Sequence, residues 1–142
     1  MALRRLAGRL LTVGALVSVS VSLLLGRAQA DGWDPQRFAT EDTLKLRTNC
    51  PEEGEYWFKV WVVVIDGQVY VRLGNRAAGR VQCNSTAPYL GVEVSGQRFD
   101  HVRGTPAPEM VERVATAMAD KYTSDIFVHF FPHPLTLRLA PQ

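Results

Sequence analysis

The sequence predicts a small, mainly β domain of the β+α class, a closed or nearly closed barrel of about six strands with one amphipathic helix before the last strand. Two tight hairpins favour this fold, because apolar runs flank Asp66-Gly67 and a second reversal is centred on Ser95-Gly96. The third observation is the order of the last elements, a stretch of helical periodicity at 105–122 followed by an alternating strand at 135–139. No internal repeat divides the chain, so one domain is expected over 31–142.

Residues 1–30 have the composition of a signal peptide. Arg4, Arg5 and Arg9 form a basic region, an apolar stretch follows, and Ala28-Gln29-Ala30 is a small-residue cleavage site. We therefore expect an exported protein, periplasmic or secreted, that is cleaved near Ala30 and touches the membrane only through this segment during export. Hydroxyl side chains within the apolar stretch disfavour an uncleaved anchor, and the twin arginine leaves open the export route for folded proteins.

Removal of this segment reverses the net charge. Four arginines and no acids precede Asp31, so the net charge falls from +2 to about −2. A slightly acidic chain without a basic run is not expected to bind nucleic acid.

The first part of the processed chain leads into the barrel. Asp31–Thr40 is polar and aromatic without a period, and we expect an arm that lies across the barrel. Thr43–Arg47 alternates and predicts the first strand, while the Pro, Gly and acids of Asn49–Gly54 predict a loop.

The central hairpin follows, and its turn predicts two faces of different character. With Asp66 and Gly67 as the loop, Trp61 is expected opposite Arg72. One face is wholly apolar and is expected in the core: Phe58, Val60, Val62, Val64, Val69, Val71 and Leu73. The other mixes aromatic and cationic side chains: Trp57, Lys59, Trp61, Val63, Tyr70 and Arg72. Such a face suits a flat anionic molecule or a second subunit, and a cross-strand cation–π pair without any ligand is the alternative.

The short stretch after this hairpin contributes two arginines and a cysteine. Asn75 is predicted to cap a short helical turn that places Arg76 and Arg80 on one side. Cys50 and Cys83 are the only cysteines, both beside predicted strand ends, and in an oxidising compartment we expect them to form a disulfide. Two free buried thiols are the alternative.

The last elements complete the sheet. In the second hairpin, His101 is predicted on the core side with Val92. Thr105 is predicted to cap the one convincing helix, which presents an apolar stripe and packs as a lid on the sheet. The members of the stripe are Val111, Val114, Ala115, Met118 and Tyr122.

The sequence gives little support to catalysis by side chains or to metal binding. His129 and His133 are four residues apart, but the prolines at 132 and 134 interrupt a helix that would bring them together, so no metal site is expected. No phosphate loop, nucleophile elbow or carboxylate pair is present. Asn84-Ser85-Thr86 is a formal glycosylation sequon.

Several motifs together resemble the split-barrel flavoproteins of the pyridoxamine phosphate oxidase-like superfamily, in particular small bacterial members. They are WVVVIDGQVYVR, the hairpin GVEVSGQRFDHV, a helix ending in AMADKY and the terminal strand TLRL, and the likeness covers roughly Thr43–Leu139. The resemblance implies a split β-barrel of about six strands that binds FMN at a homodimer interface, against the hairpin strands. It implies that Arg72 holds the phosphate and that Lys59 and Trp61 line the isoalloxazine.

Two functions follow as expectations. The first is a split barrel that binds FMN or another planar anionic molecule at a dimer interface, as a binding protein or a flavin-dependent oxidoreductase. Its binding residues would be Lys59, Trp61, Tyr70, Arg72, Arg76 and Arg80, with Trp57 as a further stacking surface. The second is a cofactor-free interaction domain that uses the same aromatic face for dimerisation or for a partner.

Overall fold

The structure, a computed structural model, describes residues 31–123 and 132–142. The predicted signal peptide and His129 lie outside the described residues. The helices are α1 (Pro35–Thr40), α2 (Asn75–Cys83) and α3 (Val111–Lys121), and a 3-10 turn, Pro108–Met110, precedes α3. The strands are β1 (Thr43–Cys50), β2 (Gly54–Ile65), β3 (Gln68–Leu73), β4 (Tyr89–Val94), β5 (Gln97–Pro106) and β6 (Leu135–Pro141).

These six strands form a closed antiparallel barrel in the order β1-β2-β3-β6-β5-β4, and β4 pairs with β1. The predicted class, a mainly β barrel of six strands with a helix before the last strand, is confirmed. None of the helices in the described part of the chain has the length and hydropathy needed to span a bilayer.

Both predicted hairpin turns are present. Asp66 and Gly67 have φ angles of 51° and 72°, and Ser95 and Gly96 have 50° and 76°. Positive φ at both central residues defines the type I′ turn, whose twist matches that of the flanking strands. Next to the first turn the predicted register is confirmed, since Val63 lies opposite Tyr70 and Val64 opposite Val69.

The two faces of the β2–β3 hairpin enter two separate cores. The apolar face belongs to the barrel interior, where Val62 and Val71 are fully buried. The opposite face lies beneath α3, and Val63 and Tyr70 form a second cluster there with Val114 and Met118. The helix is therefore the predicted lid on the sheet.

The end of α3 is fixed by hydrogen bonds to backbone groups just before β1 and to Val62 of β2. The hydroxyl of Tyr122 accepts a hydrogen bond from the Val62 amide (3.1 Å) and lies 2.7 Å from the carbonyl oxygen of Asp42, to which it donates. Lys121 Nζ donates to the carbonyls of Glu41 (2.6 Å) and Val62 (2.8 Å). Burial raises the pKa of Tyr122 and lowers the pKa of Lys121. These two side chains bond β2 at the position just before β1 begins, where a longer β1 would pair with it.

The predicted arm is a short helix that contributes to the core. Trp33 and Phe38 are buried, and the ring of Trp33 lies 4.5 Å from that of Phe38 and 5.0 Å from that of Phe99. The side chain of Asp34 caps α1 by accepting from the Gln36 amide at 3.0 Å.

The predicted core position of His101 is wrong. The pairing of β4 with β5 shifts between Leu90 and Val92, so the alternation of β5 changes phase. His101 is exposed as a result and stacks on Tyr89, with ring centroids 3.8 Å apart.

Three predictions at helix ends are also wrong. Thr105 does not cap a helix, because it lies in β5 and pairs with Arg138 of β6. The N-cap of α2 is Gly74 rather than Asn75. Val111, placed on the apolar stripe by its spacing, is 41% exposed because it is the first residue of α3.

The side chain of Asn84 is a structural element rather than an accessible glycan acceptor. It is buried, its Oδ1 accepts from the Asn49 amide (2.9 Å), and its Nδ2 donates to the Tyr89 carbonyl (2.8 Å). These bonds join the loop after α2 to the ends of β1 and β4.

We expect Tyr122→Phe to lower the free energy of unfolding by about 1–3 kcal/mol, because the Val62 amide and the Asp42 carbonyl lose a buried partner. Urea denaturation followed by circular dichroism measures the change. Tyr56→Phe is the matched control, since Tyr56 is 41% exposed, and it should stay within about 0.5 kcal/mol of wild type. Equal effects of the two substitutions would contradict the role given to Tyr122.

Candidate functional site: a basic groove between β2, β3 and α2

The β2–β3 pairing ends early, and a groove opens where it ends. The ladder stops at Val62 and Val71, one residue pair before Trp61 and Arg72, and both of these residues line the groove. Beyond this point β2 stays with β1, from Trp61 to Gly54, while β3 stays with β6. The two strands diverge because each follows a different neighbour around the barrel.

Two adjoining clefts occupy the space between the diverging strands, and we call them together the basic groove. The first, of about 190 Å³, is lined by Lys59, Val60, Trp61, Arg72, Leu73, Gly74, Ala77, Met118 and His133. The second, of about 420 Å³, is lined by Phe58, Lys59, Gly74, Asn75, Arg76, Ala77, Arg80, Pro132 and His133. Five of the six residues predicted to bind a cofactor therefore line one groove.

The groove is electropositive. Its cations are Lys59, Arg72, Arg76 and Arg80, and none of the described residues that line it is acidic. Lys59 lies directly opposite Lys45 across the β1–β2 pair, and Lys45 is itself paired with Glu93 at 3.3 Å. Like charges in directly opposed positions repel, so an anion near Lys59 would be stabilising.

The four cations are not equivalent. Arg80 Nε donates to both carboxylate oxygens of Glu53 at 3.2 Å, and its guanidinium lies 4.2 Å from the ring centroid of Tyr56. The hydrogen bond to Glu53 raises the pKa of Arg80. Arg80 is thus anchored and partly neutralised. Lys59 and Arg76 are exposed, and neither forms an ion pair within the part of the chain that the structure describes.

The amino terminus of α2 adds a second source of positive potential. Asn75, Arg76 and Ala77 line the larger cleft, and among the described residues no side chain caps the first amides of the helix. Uncapped amides and the helix dipole both favour anions. This feature was not predicted from the sequence, because Asn75 was expected to cap the helix, although Gly74 before the helix was a signal for an open amino terminus.

Of the three aromatic residues predicted to stack on a ligand, only Trp61 lines the groove. The indole of Trp61 lines the smaller cleft and stacks in parallel on Tyr122, with centroids 4.4 Å apart and planes at 5°. Tyr70 is not brought to the groove, because α3 covers it to 4% exposure and its hydroxyl accepts from Arg138 Nε at 3.3 Å. Trp57 lies outside the groove, in cation–π contact with Arg47 and Arg98.

Two further residues of the groove escaped the sequence analysis. Met118 reaches the smaller cleft from α3, and His133 lines both clefts. The sequence analysis weighed His133 only as a metal ligand with His129. Within residues 31–123 and 132–142, no three His, Cys, Asp or Glu side chains gather as a metal site.

The predicted disulfide is present and helps position the groove. Cys50 and Cys83 are bonded, which joins the end of β1 to the last residue of α2 and excludes the alternative of free thiols. Only Ala78 of α2 is buried, so the helix has little apolar anchorage of its own. The disulfide and the Arg80–Glu53 pair together hold the helix that carries Arg76.

Comparison with known proteins supports the fold. No protein-family model and no curated protein sequence matches the chain. Six chains of solved structures match it, among them the crystal structure of HutZ, the heme storage protein from Vibrio cholerae. The two structures superpose with a TM-score of 0.55 at 15% identity, over 75% of this chain and 86% of the other. The likeness shows a shared fold.

The double substitution Cys50→Ser, Cys83→Ser should lower the free energy of unfolding by about 3–4 kcal/mol, because the disulfide closes a loop with a sequence separation of 33. Urea denaturation with tryptophan fluorescence measures the change, and wild type in reductant is the control and should match the variant. A loss below about 1 kcal/mol would show that the disulfide does not hold α2 in place.

Proposed function

We propose that this chain is an exported split-barrel protein that binds a planar anionic ligand in the basic groove, at an interface between two copies. The observation that carries the proposal is the convergence of Lys59, Arg76, the open amino terminus of α2 and the indole of Trp61 on one groove. The cations and amides suit phosphate or carboxylate groups, and the indole suits an aromatic plane.

The size of the groove supports a ligand larger than a simple anion. The smaller cleft, at about 190 Å³, is below the roughly 300–1,000 Å³ typical of pockets for drug-sized molecules. A planar group beside Trp61 would therefore extend into the larger cleft, where Arg76 lies. Both clefts are open on one side, which suits a groove that a second subunit completes.

Two ligands of this class have support. FMN follows from the resemblance to the flavin-binding split barrels, and the amino terminus of α2 with Arg76 would receive its phosphate. Heme follows from the name of the structural neighbour HutZ, a heme storage protein. The residues of the groove fit either one: the cations suit the propionates of heme, and His133 supplies an imidazole, the commonest protein ligand of heme iron.

Redox chemistry, if the ligand is FMN, would come from the cofactor. An oxidoreductase activity would then rest on the flavin, while Lys59, Arg72 and Arg76 bind and orient it. If the ligand is heme, the same groove would hold the heme, and the proposed function would be heme binding rather than flavin redox chemistry.

The second candidate is a cofactor-free interaction domain, and one observation favours it. Two of the aromatic side chains expected to stack on a ligand are engaged within the chain, Trp61 with Tyr122 and Tyr70 beneath α3. What remains of the mixed face for a partner is Trp57 with Lys59. This function requires no ligand in the basic groove.

Arg76→Ala should weaken the binding of FMN or hemin about tenfold or more, because a charge-assisted hydrogen bond contributes roughly 1.5–3 kcal/mol. Each ligand is titrated separately into the processed chain, and quenching of tryptophan fluorescence reports on Trp61. Arg113→Ala is the matched control, since Arg113 is exposed on α3 and pairs with Asp66 away from the groove. Absence of quenching by both ligands, or equal losses in the two variants, would favour the interaction domain.

His133→Ala distinguishes the two ligands. If heme binds with His133 on its iron, the substitution should shift the Soret band of the complex and weaken hemin binding. FMN affinity should change by less than about threefold, because the flavin phosphate is assigned to Arg76 and the amino terminus of α2 rather than to His133. An unchanged Soret spectrum would remove His133 as the iron ligand.

A further inference from the structure

Two thirds of β2 has an edge to which no described strand pairs. On one side β2 pairs with β1 from Trp61 to Gly54, while on the other its pairing with β3 covers only Val62 to Ile65. The segment 54–61 therefore presents, toward its second side, an edge without a strand partner in the described residues. We call this segment the open edge. An edge of this kind is a template for another strand.

The direction of the backbone groups along the open edge follows from Val62. The amide of Val62 donates a hydrogen bond to the hydroxyl of Tyr122. Its carbonyl accepts one from Lys121 Nζ and lies 2.8 Å from the same hydroxyl, and all three contacts are on the β1 side. Backbone groups alternate in direction along a strand, so the even-numbered residues bond β1. Glu55, Trp57 and Lys59 direct their amides and carbonyls outward. Glu55 and Lys59 are also exposed.

The open edge is complementary in charge to a second copy of itself. In an antiparallel pair related by a twofold axis at Trp57, Glu55 of one copy stands opposite the partner's Lys59, and Lys59 opposite the partner's Glu55. Both are outward-directed residues, so the same register also satisfies the backbone bonds. An axis at residue 56 or 58 would place Trp57 opposite a charged residue and form neither of these pairs.

We propose that two copies of this chain dimerise by pairing their open edges antiparallel about Trp57, with two reciprocal Glu55–Lys59 ion pairs. The interface is isologous, as closed dimers require. It gives Lys59 a carboxylate that its own sheet does not supply, since its neighbour across the β1–β2 pair is Lys45. The ammonium of Lys59 has three N–H donors, so it can bind this carboxylate and an anionic group of the ligand together. It also places the partner beside the larger cleft, because Lys59 and Phe58 belong to both surfaces.

This inference rests on the dimer of the proposed function but not on its ligand. Sedimentation velocity of the processed chain, without FMN or hemin, is therefore the test. A dimer that binds no ligand would overturn the ligand proposal alone. A monomer throughout the micromolar range would overturn the edge pairing and the two-copy interface, while ligand binding in the groove is decided separately by the FMN and hemin titrations.

Charge reversal tests the register. Lys59→Glu should weaken dimerisation at least tenfold. The double variant Glu55→Lys, Lys59→Glu should return the dissociation constant to within about threefold of wild type, because the two ion pairs form again with exchanged signs. Arg113→Glu, an equal charge change on α3, is the control and should leave dimerisation unchanged. Failure of the double variant to recover would overturn the proposed register.

Cross-linking keeps the test independent of charge and folding effects. Opposed residues of a hydrogen-bonded antiparallel pair have Cα atoms about 5.5 Å apart, within disulfide range. Under mild oxidation with the native disulfide intact, Trp57→Cys should form covalent dimers, while Tyr56→Cys should form at least tenfold fewer, because Tyr56 faces the partner's Phe58. Equal yields from the two variants, or none from Trp57→Cys, would overturn the pairing.

Discussion

The register of the β2–β3 hairpin is the constraint on which the rest of the structure depends. Asp66 and Gly67 adopt positive φ angles, and the type I′ turn they form leaves one pairing for the flanking strands. A shift by one residue would exchange the faces and bring Lys59 and Arg72 toward the barrel interior, in place of the apolar side chains. The barrel core, the seat of α3 and the placement of the cations therefore share one local cause.

The groove exists because the hairpin does not continue as a ladder. Beyond the ladder, β2 pairs only with β1 and β3 pairs only with β6, so a space opens between β2 and β3. The helix α2, which comes directly after β3 in the chain, lines this space. The disulfide returns the far end of that helix to β1. Topology thus concentrates positive charge at one place, although residues 31–142 carry a net charge of about −2. The proposed anion site is a consequence of where the strands part.

The sequence predicted what local chemistry determines. Both turns and the lid formed by α3 follow from turn residues and periodicity, and the disulfide follows from two cysteines beside strand ends. Lys59, Trp61 and Arg72 share the groove because they are neighbours on one hairpin, and Arg76 and Arg80 join them because α2 follows β3 directly. What escaped prediction depends on tertiary context. The end of the ladder at Val62 reflects competition between strand neighbours, the burial of Tyr70 reflects the docking of α3, and the exposure of His101 reflects a bulge. None of these leaves a signal in local spacing.

The most direct test of the ligand site is a ¹H–¹⁵N NMR titration of the processed chain with FMN and, separately, with a diamagnetic metalloporphyrin. The account predicts that the indole N–H of Trp61 and the backbone amides of Asn75–Ala77 shift first and saturate together, while the amides of β5 stay unchanged. Shifts confined to another face of the barrel, or no saturable shift with either ligand, would contradict it.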